Sequence, residues 1–216
     1  MKRALKWIIG LLVAAIAVLF ALGYTPDTEP AAMKAKYASP ASQFVDVGGG
    51  LTMHVRDEGK RDGPVLVLLH GSNASLHTWE PWVAQLKDKY RIISLDQIGH
   101  GLTGPNPTGQ YDGAAFVGTL DALMNRLGVT RFALAGNSMG GYVAWEYALA
   151  HPGKLTHLVL VDAAGPPDDP DKDLPIGFRI ARTPGISKIA LVITPRSVFE
   201  RSLRGKALRA IAVNRT

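Results

Sequence analysis

The sequence predicts an α/β domain with a mostly parallel sheet and helices on both of its faces. Apolar runs without alternation, at Val65–Leu69 and Phe132–Ala135, are typical of strands that are buried on both sides. Segments such as 116–127, with apolar residues at three- and four-residue intervals, are typical of amphipathic helices and alternate with those strands. A chain of 216 residues with 47% apolar and 19% charged residues suits one such domain.

The predicted elements follow one another as repeated strand–helix units. Gly48-Gly49-Gly50 separates two extended runs, which predicts a hairpin, and Gly128 ends the helical segment over 116–127. Such repetition places functional groups at the carboxyl ends of the parallel strands. In chain order we expect a hairpin over Phe44–Val47 and Leu51–Arg56, a strand at Val65–Leu69, a helix over 79–88, a strand at Ile92–Leu95, a helix over 116–127, a strand at Phe132–Ala135, a helix at Met139–Ala150 and a strand at Leu158–Val161.

The first 24 residues are a candidate membrane segment. Three basic residues precede the uncharged run Trp7–Tyr24, which as a helix would span about 27 Å, close to the thickness of a bilayer. This charge order predicts a cytoplasmic amino terminus, with the remaining chain on the periplasmic or extracellular side. A cleaved signal peptide and a secreted protein are the alternative, because Ala21-Leu22-Gly23 fits a cleavage site. Residues 25–42, rich in Pro and Ala, are predicted to be a linker.

The charge is unevenly distributed along the chain. Residues 7–173 hold 12 basic and 17 acidic side chains, whereas residues 174–216 hold 9 basic side chains and one acidic side chain. An acidic body argues against nucleic acid as a partner. The basic, partly apolar tail is interpreted as an ordinary cap with an apolar inner face, and a lid that contacts anionic lipid is the alternative. The sequence contains no cysteine, which excludes disulfides and cysteine nucleophiles.

The segment Gly136-Asn137-Ser138-Met139-Gly140 carries the main chemical signal. It follows a predicted buried strand and begins a predicted helix, which is the context that gives the pattern G-x-S-x-G its meaning. A sharp turn there presents the serine hydroxyl, and the two glycines let the backbone pass close by. The helix directs its free N–H groups toward a developing oxyanion. We therefore predict Ser138 as a nucleophile.

Two other strand ends carry polar loops. Strand Val65–Leu69 leads into His70-Gly71-Ser72, where the Ser72 N–H is the expected second oxyanion donor beside the N–H of Met139. His70 is expected to shape this loop rather than to act as a base. Strand Ile92–Leu95 leads into Asp96-Gln97-Ile98-Gly99-His100-Gly101, in which the Asp and the His are likewise expected to shape the loop.

Together, His70-Gly71, Asp96-x-x-Gly99-His100-Gly101 and Gly136-x-Ser138-x-Gly140 resemble the α/β-hydrolase superfamily over about residues 43–165. The resemblance implies the α/β-hydrolase fold, Ser138 as nucleophile, an oxyanion hole from Ser72 and Met139, and no metal or organic cofactor. It favours an esterase-type serine hydrolase with a small acyl substrate. A serine nucleophile argues against relatives that form alkyl-enzyme esters, such as haloalkane dehalogenases and epoxide hydrolases. The elbow also resembles that of carbon–carbon bond hydrolases, so such a hydrolase or an enol-lactonase is the alternative.

The general base is not identified by the sequence. The superfamily order is Ser, then acid, then His, yet no histidine follows His157. Asp162, after the last predicted strand, is a candidate acid, and a structural strand-end role is the favoured alternative. His151 and His157 are predicted at the opposite end of that strand. His77 and His100 are predicted on the correct side of the sheet, but no motif supports either as the base.

These features predict a fold truncated after its sixth strand and part of its cap. The expected domains are an anchor over 1–24, a linker over 25–42, a hydrolase core over 43–165, and a partial cap and basic tail over 166–216. We expect impaired catalysis, and a catalytically silent, membrane-tethered binding module is the alternative. The last strand would form an exposed apolar edge, which a partner would have to cover.

Overall fold

The computed structural model describes residues 2–23 and 28–165, and the chain divides into two compact units. The described part of the first unit is a single helix, α1 (Lys2–Gly23). Its segment Arg3–Leu22 has a mean hydropathy of 2.5, and none of it is buried. This helix is long and apolar enough to cross a membrane, and a signal sequence has the same properties. The predicted cap and basic tail over 166–216 lie outside the described residues.

The second unit is built on a six-stranded sheet of order β1-β2-β4-β3-β5-β6. The pairs β1–β2 and β2–β4 are antiparallel, and the other three pairs are parallel. The predicted mostly parallel sheet is therefore confirmed. The strands are β1 (Ser42–Gly48), β2 (Leu51–Gly59), β3 (Val65–Leu69), β4 (Arg91–Leu95), β5 (Phe132–Asn137) and β6 (Leu155–Val161).

Helices cover both faces of this sheet, as predicted. On one face, apolar residues of α4 and α5 pack on the hairpin and the central strands, with Leu123, Tyr147 and Val55 fully buried. On the other face, Trp79 and Val83 pack on β3 and β4. The helices of this unit are α2 (Pro30–Tyr37), α3 (Glu80–Leu86) after a short 3-10 helix (Leu76–Trp79), α4 (Gly113–Arg126) and α5 (Met139–Ala150).

Part of the predicted linker is helical. Helix α2 begins with Pro30, a residue whose fixed φ suits the first turn of a helix, and its residues belong to the second unit. The ammonium group of Lys34 lies 3.7 Å from the centre of the Phe44 ring on β1. The sequence analysis does not predict this helix, because Pro and Ala in a polar stretch indicate a loop, whereas the contact with Phe44 comes from outside the stretch.

Strand β6 forms an edge of the sheet. Among the strands within residues 28–165 it pairs only with β5, and Leu158, Val159 and Leu160 are 40%, 39% and 47% exposed. A groove of about 550 Å³ beside Trp82 and Phe132 adjoins this strand. The apolar edge expected from the sequence is present, and a partner that covers it stays a prediction.

Asp96 connects three segments at the carboxyl end of β4. It is fully buried, and its carboxylate accepts hydrogen bonds from His54 Nδ1 (2.7 Å) and from the backbone N–H groups of Leu76 and Leu102 (2.8 Å each). Burial raises the pKa of Asp96, but these hydrogen bonds outweigh burial and hold the pKa below its usual value. The residue thus shapes both neighbouring loops.

Replacing Asp96 with Asn should destabilise the second unit in a pH-dependent way. Because the folded-state pKa lies below the unfolded value of about 3.9, the carboxylate stabilises the fold above that pH, and this contribution is lost as the pH falls through the folded-state pKa. We expect Asp96→Asn to lower the free energy of unfolding by about 1–3 kcal/mol at neutral pH. Urea unfolding followed by tryptophan fluorescence measures this change.

Asp46→Asn is the matched control, because Asp46 is exposed and its carboxylate accepts only a local hydrogen bond from the Gly48 N–H. The difference in free energy of unfolding between wild type and Asp96→Asn should become smaller as the pH is lowered toward about 3. A difference that stays constant from neutral pH to about pH 3 contradicts the assignment.

Candidate active site

Ser138 lies in a sharp turn between β5 and α5. Its φ is 51° and its ψ is −114°, a conformation that L-residues rarely adopt outside functional sites. Asn137 is the last residue of β5, and Met139 is the first residue of α5. The strand, turn and helix predicted around G-x-S-x-G are therefore all present, and Ser138 is partly exposed rather than buried in a regular helix.

The two flanking glycines are required by close backbone contacts. A Cβ atom at Gly136 would overlap the carbonyl oxygen of Gly140, and one at Gly140 would overlap the carbonyl oxygens of Leu69 and His70. Because these neighbours are backbone atoms, no side-chain rotation can relieve the overlap. The first turn of α5 therefore packs directly against β5 and the end of β3, and this contact requires glycine at both positions.

Hydrogen bonds hold the turn against the end of β6. The Ser138 N–H and the Asn137 side-chain amide both donate to the carbonyl oxygen of Val161, at 3.1 and 3.0 Å. The Ser138 carbonyl oxygen accepts hydrogen bonds from the N–H groups of Tyr142 (3.0 Å) and Ala164 (3.1 Å). The backbone of the nucleophile candidate is thus fixed on both sides, while its hydroxyl carries no hydrogen bond to any residue within 2–23 and 28–165.

The two predicted oxyanion donors lie next to Ser138. Met139 N–H begins α5 and has no acceptor within the helix. A Cβ atom at Gly71 would lie 3.2 Å from the Cβ atom of Ser138, so the loop after β3 passes beside the serine, and Ser72 is the next residue in that loop. The arrangement is compatible with an oxyanion hole, and the roles of Ser72 and Met139 stay predictions.

His70 is built into the loop and is not available as a base. It is fully buried, its Nδ1 lies 2.8 Å from the carbonyl oxygen of Gly71, and its Nε2 accepts a hydrogen bond from the Gln97 N–H (3.1 Å). Burial lowers the pKa of His70, and the hydrogen bond to Gly71 offsets only part of this effect. The ring is therefore neutral at physiological pH, with both nitrogens engaged.

The histidines on the same side of the sheet are also engaged in local hydrogen bonds. His77 Nε2 accepts from Arg56 (2.9 Å), and its Nδ1 lies 3.0 Å from the Ser75 hydroxyl. His100 Nδ1 lies 3.0 Å from the carbonyl oxygen of Ile98. His151 and His157 are the two histidines predicted at the opposite end of the last strand. His151 directly follows α5. His157 lies within β6, because this strand begins at Leu155 and not at Leu158 as its apolar run suggested.

A buried Ser42–His54–Asp96 chain was missed by sequence reasoning. His54 Nε2 lies 2.7 Å from the Ser42 hydroxyl, and its Nδ1 lies 2.7 Å from Asp96. The hydroxyl oxygen of Ser42 also accepts the N–H of Ser39 (3.0 Å). Ser42 begins an ordinary strand and has no strained turn or helix N-terminus beside it, so this chain ties β1 to β2 and β4 structurally. Only the strand register brings the three residues together, and no local motif indicates it.

Asp162 follows β6 at the edge of the sheet where Ser138 lies. It is exposed and has a φ of 47°, which makes it one of three non-glycine residues with positive φ among the described residues. Its side chain forms no hydrogen bond within residues 28–165. Its role as an acid or as a strand-end residue stays a prediction.

A cavity of about 520 Å³ lies at the carboxyl ends of β3 and β4. Its walls include Met33 and Tyr37 of α2, His77, and Leu102. Ser138 is not one of its lining residues. No group of three or more His, Asp or Glu residues within 2–23 and 28–165 is placed to hold a metal ion.

The chain belongs to the α/β-hydrolase fold family, whose family model matches residues 64–182. The chain is 36% identical over 146 residues to a cis-3-alkyl-4-alkyloxetan-2-one decarboxylase from Xanthomonas campestris, covering 64% of this chain and 49% of that protein. It is 29% identical over 118 residues to epoxide hydrolase 3 from Xenopus tropicalis, covering 54% and 32%. This chain spans half or less of the length of these curated relatives. The family and its hydrolase members support hydrolase-type activity.

A solved structure of a bacterial membrane phospholipase A is also similar. It superposes with a TM-score of 0.57 at 30% identity, over 76% of this chain and 53% of that chain. The match extends the likeness beyond the motifs to the arrangement of strands and helices.

Substituting Gly136 should disrupt the turn at Ser138. We expect Gly136→Ala to lower the free energy of unfolding by about 2–3 kcal/mol, because the added methyl group overlaps backbone that cannot move aside. Gly118→Ala is the control, since this glycine lies within α4 with open space around it, and alanine there should be neutral or stabilising by up to about 1 kcal/mol. Urea denaturation measures the free energy of unfolding of both variants. Equal losses of stability in the two variants contradict the packing argument.

Proposed function

We propose that the chain is a serine hydrolase that acts on a carboxylic ester or a related acyl substrate. The observation that carries this proposal is the strained backbone of Ser138 at the junction of β5 and α5. Strain of this kind persists where a function depends on it, and here it presents a hydroxyl group beside free N–H groups.

The proposed reaction proceeds through an acyl-enzyme. Ser138 Oγ attacks the acyl carbon, and the electron pair of the carbonyl bond moves to oxygen, where the N–H groups of Met139 and Ser72 stabilise the charge. Collapse of this intermediate expels the alcohol, and a water molecule then attacks the acyl-enzyme and releases the acid. No step needs a metal ion or an organic cofactor.

The hydroxyl proton of Ser138 has to pass to a general base. Since none of the six histidines forms a hydrogen bond with this hydroxyl, we propose that the base comes from outside the described residues. Asp162 is the candidate acid that would orient it. Without such a base, the oxyanion donors alone would support weak turnover.

The names of two similar proteins support an acyl substrate. A phospholipase A hydrolyses an ester, and an oxetan-2-one is a cyclic ester. The cyclic ester favours a lactone-type substrate as the second candidate, which would use the same nucleophile. The epoxide hydrolase among the relatives shows that the family also carries out other reactions.

A fluorophosphonate probe tests the proposed nucleophile. We expect slow labelling of Ser138 in the full chain in detergent, because the turn presents the hydroxyl beside N–H groups even without a base, and we expect this labelling to disappear in Ser138→Ala. Ser42→Ala is the control, since Ser42 also contacts a histidine but does not lie in a strained turn. This variant should be labelled to the same extent as wild type. Mass spectrometry of the labelled peptide measures both.

Labelling of wild type that survives in Ser138→Ala contradicts the proposal. No labelling of either protein supports the catalytically silent alternative.

We also propose that α1 is a retained membrane anchor with the hydrolase unit on the periplasmic or extracellular side. Its uncharged length and the basic residues before it support this orientation. Alkaline phosphatase fused after residue 165 should be active. Mass spectrometry of the purified chain should give the mass of the full sequence, with the amino-terminal segment still attached. Loss of about the first 23 residues indicates a cleaved signal, and an inactive fusion contradicts the orientation. A chain without residues 2–23 is the control.

A further inference from the structure

Gln97, which follows β4, makes two hydrogen bonds to the loop beside Ser138. The backbone N–H of Gln97 donates to His70 Nε2 (3.1 Å), and the Gln97 side-chain amide donates to the His70 carbonyl oxygen (2.7 Å). Gln97 is only 3% exposed, so both bonds are shielded from water. The ring and the backbone of His70 are thus held by one residue.

This contact fixes the tautomer of His70. Because Nε2 accepts the Gln97 N–H, the single ring proton of the neutral imidazole resides on Nδ1. Nδ1 then donates to the carbonyl oxygen of Gly71, 2.8 Å away. The other tautomer would place two protons between His70 Nε2 and Gln97 and leave the Gly71 oxygen without this donor.

The acceptor of this last bond belongs to the peptide unit that carries the Ser72 N–H. A trans peptide is planar, and its C=O and N–H point in opposite directions. Holding the Gly71 oxygen on the His70 ring therefore directs the Ser72 N–H away from that ring. The same glycine lies beside Ser138, since a Cβ atom added to Gly71 would be 3.2 Å from the Cβ atom of Ser138.

The arrangement has an energetic cost. Gln97 Oε1 is buried and has no hydrogen-bond partner among residues 2–23 and 28–165. A leucine or methionine would fill the same space without this unpaired oxygen. Only the hydrogen bond from the Gln97 side chain to the His70 carbonyl oxygen requires an amide here, because an apolar residue would keep the backbone N–H.

We infer that His70 and Gln97 are positioning residues that set the direction of the Ser72 N–H for the oxyanion hole. The inference rests on the proposed serine hydrolase function. Neither residue touches the substrate. The backbone N–H of Gln97 selects the tautomer of His70, the Gln97 side-chain amide holds the His70 carbonyl oxygen, and His70 orients the peptide that carries the Ser72 N–H.

The tautomer is tested on the full chain in detergent micelles by long-range proton–nitrogen NMR with nitrogen-15-labelled histidine. We expect a neutral His70 ring with the proton on Nδ1 at neutral pH, because Nε2 accepts the Gln97 N–H and burial lowers the pKa of His70. A proton on Nε2, or a charged ring at neutral pH, overturns the inference.

The effect on the Ser72 N–H is tested with Gln97→Met and His70→Phe. The residual dipolar coupling of the Ser72 amide should change in both variants. It should stay the same in His100→Phe, the matched control, whose ring lies 5.2 Å from that of His70 without a bond to Gly71. If His70→Phe does not fold, Gln97→Met, which loses only the side-chain bond to the His70 carbonyl oxygen, tests that bond, and the wild-type histidine spectrum tests the tautomer. An unchanged coupling overturns the inference, whether or not Ser138 reacts with any probe.

Kinetics separate positioning from general destabilisation. With a p-nitrophenyl ester we expect kcat to fall about 10–100-fold in Gln97→Met, with KM within about twofold of wild type, because an oxyanion donor acts mainly in the transition state. A rise in KM with unchanged kcat overturns the role in the oxyanion hole. If wild type neither turns over the ester nor reacts with fluorophosphonate, the proposed function fails, and the NMR couplings still decide whether the two residues orient this amide.

Discussion

Holding Ser138 at a positive φ costs on the order of 1–3 kcal/mol, and the surrounding structure has to offset that cost. It does so with backbone contacts rather than with side chains. The glycines at 136 and 140 let the first turn of α5 approach β5, and the end of β6 receives two hydrogen bonds from the turn. A parallel sheet supplies this support naturally, because β3, β5 and β6 all end at the same edge.

The loops at this edge are ordered by buried polar residues at the end of β4. Asp96 binds the segments at Leu76 and Leu102, and Gln97 binds His70. Consecutive residues after one strand therefore fix both loops that border the elbow. Buried hydrogen bonds of this kind favour a single arrangement of the loops, and the loop after β3 passes beside Ser138.

Local patterns were sufficient to predict the sheet, the helices on both faces and the elbow. The strand ending at Asn137 and the helix starting at Met139 are each marked by residues within a few positions of one another. Contacts between distant segments were not predictable in this way. Helix α2 contacts β1 through Lys34, and the partners of His54 follow from strand register, so neither contact leaves a signal in its own stretch of sequence. The roles of Ser72, Met139 and Asp162 remain predictions because geometry alone does not show a reaction.

The open side of β6 has a practical meaning for handling the protein. Its seven residues include neither lysine nor proline, the residues with which natural sheets discourage unwanted pairing. Among residues 28–165 no strand pairs with the outer side of β6, and wherever that side stays uncovered, two molecules that meet along it can extend each other's sheet. A lysine introduced at Val159 would be the most direct way to keep samples monodisperse.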